Sequence, residues 1–136
     1  MIEIYSRVEP LRLLHIIYSL SSVTKRTDLL EIDNPLQVSV VRKNIGDDPL
    51  AHAHKSKTFV NEPQVIQESW FVYKGKVEVL HFDLDKSLIG THILVEGDLN
   101  ITLLGGHSFR TLSNDTIILE HKNGPYLGRH ADKEFI

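Results

Sequence analysis

Two histidines one residue apart, His52 and His54, are the residues whose type and spacing most directly suggest chemistry. In an extended strand, residues i and i+2 face the same side, so two such imidazoles converge on one point. A strand can thereby offer a metal two neutral nitrogen donors, each about 2.0–2.2 Å from the ion. The same spacing also occurs on plain solvated strands. His81 and His92 sit in strand-like stretches, His15 in a helix-like one and His130 in a polar tail, and each reads as a surface or satisfied histidine. The chain has no cysteine, which rules out a disulfide, a thiolate zinc site and a cysteine nucleophile. No serine carries the flanking glycines of a nucleophile elbow, and Gly105-Gly106 opens no helix that could cradle a phosphate.

The elements that must position these side chains are mostly short strands. Pro10 suits the first turn of a helix, and Leu11, Leu14, Ile17 and Tyr18 recur at helical spacing, which predicts a short helix over 9–20. Beyond it the pattern changes to period two. Val38 and Val40 alternate within one strand. Trp70 to Tyr73 and Val77 to Leu80 flank Lys74-Gly75-Lys76 as an expected hairpin. Ile89 to Val95, Ile101 to Leu104 and Thr116 to Glu120 follow, and the tail from Tyr126 reads as polar surface. Many short strands separated by turn residues indicate an all-β sandwich or barrel. Residues 1–35 read as a helix and lead-in segment, and 36–136 as the β-barrel domain.

Longer spacings carry a family resemblance. Gly46, five residues, then His52-x-His54 matches the front half of the first cupin motif, and Glu68, six residues, then Gly75 matches its back half. The chain therefore resembles the cupin superfamily, which implies a double-stranded β-helix, or jelly roll. The resemblance implies that His52, His54 and Glu68, with His107 from the second motif, hold one divalent metal ion. Two departures stand out. Lys55 to Gln67 separate His54 from Glu68 where the family has only a few residues, and this insertion brings Glu62 as a rival ligand. In the second motif Leu103 replaces a proline, the spacing before His107 is one residue short, and Thr111 replaces an asparagine. Gln67-Glu68-Ser69-Trp70, Gly105-Gly106-His107, Lys122-Asn123-Gly124-Pro125-Tyr126 and Asp132-Lys133-Glu134 are together similar to the WbuC-like cupin-fold metalloproteins of bacterial surface-polysaccharide gene sets. That similarity runs from about Leu36 to Ile136.

Composition narrows the function classes. A formal charge of −3 and scattered basic residues argue against a nucleic-acid surface. No stretch approaches the roughly 20 apolar residues of a membrane span, and Leu11 to Leu20 lacks a signal-peptide cleavage site, so a cytoplasmic protein is expected. The resemblance implies a metal enzyme acting on a sugar or nucleotide-sugar, by isomerisation, epimerisation or oxygenation. The alternative is a non-catalytic sugar-binding module. Iron, manganese, nickel and zinc all suit nitrogen–oxygen ligands. Trp70, Phe109 and Arg110 are the expected substrate contacts, with Trp70 and Phe109 walling a sugar site and Arg110 holding a carboxylate or phosphate. No general base can be named. A homodimer is expected, since sandwich edges invite pairing.

Overall fold

The structure is a computed structural model, which describes residues 1–9, 11–59, 62–64 and 66–136, with the side chains of 57–59 and 62–64 left out of the description. Its elements begin with β1 (Ile2–Tyr5), β2 (Leu13–Ile17), a 3-10 turn (Leu20–Ser22), β3 (Thr27–Asp28) and β4 (Leu36–Lys43). There follow β5 (His52–His54), β6 (Lys57–Phe59), β7 (Glu62–Gln64), β8 (Glu68–Lys74), β9 (Lys76–Phe82) and β10 (Leu88–Val95). The chain ends with β11 (Leu99–Thr102), β12 (Gly106–Thr111), β13 (Thr116–Asn123), α1 (Arg129–Asp132) and β14 (Lys133–Phe135).

Two five-stranded antiparallel sheets face each other. One runs β10-β9-β12-β5-β14 and the other β11-β8-β13-β4-β3. From β4 onward the chain passes repeatedly from sheet to sheet, so inward residues of both sheets meet in one core. Val41, Trp70, Val72, Val77, Val79, Leu94, Phe109 and Ile118 form it. This is the all-β sandwich expected from the strand pattern, in the jelly-roll layout that the family resemblance implied.

Lys74-Gly75-Lys76 does not close a hairpin. β8 pairs with β11 and β13, whereas β9 pairs with β10 and β12, so the chain crosses between sheets at Gly75. The crossing needs glycine there. Its φ is +92°, and a Cβ would lie 2.5 Å from Thr116 Oγ1 and 3.0 Å from Thr116 Cα.

The expected helix over 9–20 is replaced by a β-hairpin. β1 and β2 pair antiparallel, with Ile2 opposite Ile17 and Ile4 opposite His15. Between them Ser6 Oγ accepts from the Val8 and Glu9 amides, Ser6 N–H donates to Arg12 O at 2.8 Å, and Leu11 adopts φ +72°. Ile16 and Ile17, β-branched, favour the strand. The helical spacing of apolar residues was equally that of a strand apolar on both faces.

The rest of the N-terminal segment packs outside the second sheet. Val23, 1% exposed, joins Val40 and Ile117 with Tyr18, Leu20, Leu29 and Leu119, and β3 extends the sheet beside β4. The C-terminal tail is likewise no loose surface segment. β14 pairs with β5, and Asp132 is fully buried. Among the described residues, no helix is long and apolar enough to cross a membrane.

Candidate metal centre

β5 places His52 and His54 on one inward face by strand alternation alone. It lies between β12 and β14, with His107 and Phe135 directly opposite His52 and Lys133 directly opposite His54. Residues directly opposite share a face, so His52, His54 and His107 form one inward cluster. The Gly105-Gly106 pair lets β12 come close enough: Gly105 has φ +82°, and a Cβ on it would sit 2.4 Å from Phe82 O. Glu68, the first residue of β8, points across from the opposite sheet.

The four side chains offer ligand atoms that all lie within 4.8 Å of one another. His52 Nε2 and His107 Nε2 are 3.3 Å apart. His54 Nε2 lies 2.8 Å from Glu68 Oε2, and His107 Nε2 lies 3.7 Å from Glu68 Oε1. Each imidazole has its other nitrogen turned outward to an oxygen. His52 Nδ1 donates to Leu50 O at 2.8 Å, His107 Nδ1 lies 2.7 Å from Thr102 Oγ1, and His54 Nδ1 lies 3.5 Å from Asp132 Oδ2. Outward partners of this kind fix ring orientation and aim the Nε2 lone pairs inward, as around metal-bound histidines. The Thr102 hydroxyl also accepts from Asn100 Nδ2 at 3.3 Å, and Asn100 Oδ1 lies 2.8 Å from His81 Nε2. A chain of hydrogen bonds thus runs from His107 out to the half-buried His81.

Electrostatics separate the three rings. Burial, the nearby Lys133 ammonium and His54 push the His52 imidazolium down to about 4, against the hydrogen bond to Leu50 O. Burial and the neighbouring His52 and His54 push His107 down to about 2. Burial acts downward on His54 as well, but Asp132 and Glu68 outweigh it and raise its pKa. Both Glu68 oxygens and both His54 nitrogens are buried without an aligned hydrogen bond. Such groups are costly to leave unsatisfied, and a cation at the focus would satisfy the Glu68 oxygens and His54 Nε2. The donor set therefore fits a divalent metal of the nitrogen–oxygen class.

No protein-family model matches the chain, and no curated protein does. Solved structures do. An uncharacterized conserved protein with a double-stranded beta-helix domain from Klebsiella pneumoniae superposes with TM-score 0.62 at 19% identity, over 85% of this chain and 95% of that one. The capsular polysaccharide assembling protein CapF from Staphylococcus aureus gives 0.65 at 16% identity, over 82% of this chain. KdgF from Halomonas sp. gives 0.54 at 18%, over 72% of this chain and 77% of that one. This chain spans only 29% of the length of CapF. The fold is that of a cupin.

The other expected site residues are placed elsewhere. Trp70 and Phe109 are 3% and 4% exposed, their rings 5.0 Å apart, and they pack behind the cluster in the core, with Trp70 4.4 Å from the His107 ring. They back the histidines from within the core. Arg110 points away from the barrel, because β12 alternates and His107 and Phe109 take the inward positions. It pairs instead with Glu78 at 2.8 Å on the outer surface. The side chain of Glu62, the rival ligand, lies outside the described residues.

The open space of the barrel lies on the other side of His52. A cavity of about 510 Å³ extends between the sheets from His52 and Phe135 to Ser39, Glu120 and Tyr126. Residues outside the expected site define it. Arg26, from the N-terminal segment, reaches in to Ser39 Oγ at 2.8 Å and Glu120 Oε1 at 3.0 Å. Lys122 Nζ lies 2.7 Å from Asp132 Oδ2, and Lys133 stands beside His54. The Asp132-Lys133-Glu134 run had already been visible as a motif, but nothing in its polar composition said that a strand would carry it beside β5.

Proposed function

We propose that this cupin binds one divalent metal ion through His52, His54, Glu68 and His107 and acts on a small oxygenated substrate, a sugar or nucleotide-sugar of surface-polysaccharide assembly. The observation that carries the reading is the convergence of four buried donors whose inward atoms include three without an aligned partner. An ion bound there can polarise a carbonyl or lower the pKa of bound water. The chain's own part is to hold the rings. Leu50 O, Thr102 and Asp132 orient the three imidazoles, while Trp70 and Phe109 keep water from the back of the site. The adjoining cavity falls within the range of about 300–1,000 Å³ typical of small-molecule sites.

The polysaccharide assignment draws support from the resemblance to WbuC-like proteins and from CapF, a capsular polysaccharide assembling protein that shares the fold. Iron, manganese, nickel and zinc are the candidate ions. A homodimer in the cytoplasm completes the proposal, with the apolar N-terminal hairpin as the contact. Elemental analysis of untagged protein beside a His52→Ala, His54→Ala variant tests the metal. Near one equivalent in the wild type, lost from a variant that still folds, is the expected result. Chelation should then abolish turnover of keto-sugar or nucleotide-sugar substrates, and one metal should restore it. No metal after incubation with all four ions would overturn the reading. A metal-loaded protein that binds sugars without turnover would leave a binding module.

A further inference from the structure

The cavity beside His52 has a charge opposite to that of the whole protein. The chain carries a formal charge of −3, yet five cationic side chains and only two carboxylates line this space. Most of the charges have partners. Arg26 is engaged by Glu120, Asp28 and Ser39. Lys122 is held by Asp132 at 2.7 Å and lies 4.4 Å from the centre of the Tyr126 ring. The Arg129 guanidinium stacks 4.7 Å from the centre of the Phe135 ring.

Lys133 differs. It faces inward beside His54, since the two are directly opposite on β14 and β5. Burial pushes its ammonium below the usual lysine value, while Glu68 and Glu120 pull the other way from a distance. No hydrogen bond or ion pair to it is found among the described residues. A half-buried charge without a partner is costly, and an anion entering the cavity would supply one within reach of the histidine cluster. A bound divalent cation would add to the positive potential at that end, and low-dielectric walls focus such a field.

We propose that the cavity takes the anionic oxygens of a carboxylate- or phosphate-bearing substrate, with Lys133 as their charge partner and the rest of the substrate directed at His52. The inference deepens the metal-cupin reading and rests on it for the orientation of the substrate, but the anion preference itself belongs to the cavity. A sugar acid and a sugar phosphate share the required chemistry.

Calorimetric titration of D-galacturonate, D-glucose 1-phosphate and D-glucose separates the sources, using both metal-loaded and EDTA-stripped protein. At least one charged compound is expected to bind tenfold or more tightly than glucose. Loss of a charge-assisted hydrogen bond should weaken that compound on the order of 10- to 100-fold in Lys133→Met, and Lys133→Arg should recover most of it. Lys133→Gln, with circular dichroism on every variant, guards against a misfolded methionine variant. Which charged compound wins identifies the anion. No preference for charge, including no measurable binding, overturns the proposal, as does unchanged anion affinity in folded Lys133→Met or Lys133→Gln. If the protein takes up no metal but keeps a Lys133-dependent anion preference, the metal reading alone has failed.

Discussion

His52 Nε2 and His107 Nε2 face each other across 3.3 Å. The carbonyl of Leu50 can only accept, so the neutral His52 ring carries its proton on Nδ1 and aims a bare lone pair at His107. A cation shared by the two nitrogens resolves that arrangement, and protons do so poorly because both rings are buried.

The metal-free protein should therefore lose stability as pH falls. Unfolded histidine titrates near 6.5, whereas His52 and His107 are held down to about 4 and about 2 in the fold. Between those values the unfolded chain binds more protons, so the stabilisation is complete above about 6.5 and drains away towards pH 4. His52 alone accounts for on the order of 3 kcal/mol. His54, raised by Asp132 and Glu68, has the opposite sign: its contribution is present at low pH and is lost as pH rises through its raised value. Thermal melts of EDTA-treated protein from pH 7 to pH 4 should show a falling Tm, with a shallower fall in His52→Gln. A Tm that holds steady to pH 4 would contradict buried neutral rings.

Asp132 serves two partners at once, Lys122 Nζ at 2.7 Å and His54 Nδ1 at 3.5 Å. Asp132→Asn leaves a buried ammonium unpaired, which should cost about 3–5 kcal/mol, and should loosen metal binding about 10- to 100-fold through His54. Urea unfolding reads the first effect and competitive chelation the second. NMR titration should also show the His54 pKa falling, because the neighbouring carboxylate charge has gone. A variant with wild-type metal affinity and an unmoved His54 would remove Asp132 from the centre.

These residues show what the sequence could and could not reveal. His52 and His54 could be read as a pair because strand alternation is a local property, whereas Glu68 and His107 came only from the spacing of the cupin motifs. Trp70 was legible as inward-facing, since it shares a face with Glu68, but its depth was not. Arg110 misled because the strand's phase had to be known before its direction could be. Lys133, Asp132 and Arg26 reach the site through pairings across the chain, β14 with β5 and β3 with β4, and long-range pairing leaves no local signature. The N-terminal hairpin was missed because an apolar stripe at Leu11, Leu14, Ile17 and Tyr18 satisfies both periods when most neighbours are apolar too.

Gly75→Ala should destabilise the barrel without touching a ligand. The substitution places a Cβ at φ +92° against Thr116 and Ser113, and both strain and overpacking act at once. Costs of about 1–3 kcal/mol from each source give a clear drop in the urea midpoint. Glu68 lies at the other end of the same strand, so metal stoichiometry in the folded fraction should stay near the wild-type value. A midpoint within error of wild type would show that the crossing at Gly75 tolerates a side chain.

The hairpin of β1 and β2 exposes Ile2 and Ile17, a directly opposed pair, at 59% and 56%. Ile4 follows Ile2 on the same face, opposite His15, and Leu14 is exposed on the other face. Large apolar side chains exposed in this way on a two-stranded ribbon are costly in water, and such a ribbon gains stability by packing on a third element. In a homodimer the partner supplies that element. Ile2→Asp together with Ile17→Asp should convert the dimer to a monomer in sedimentation experiments while leaving the circular dichroism of the barrel unchanged, because neither residue touches the core around Val41 and Trp70. The metal centre should survive, since all four ligands come from β5, β8 and β12. A wild-type protein that sediments as a monomer at all concentrations would sink the dimer, and the apolar ribbon would then need a different partner.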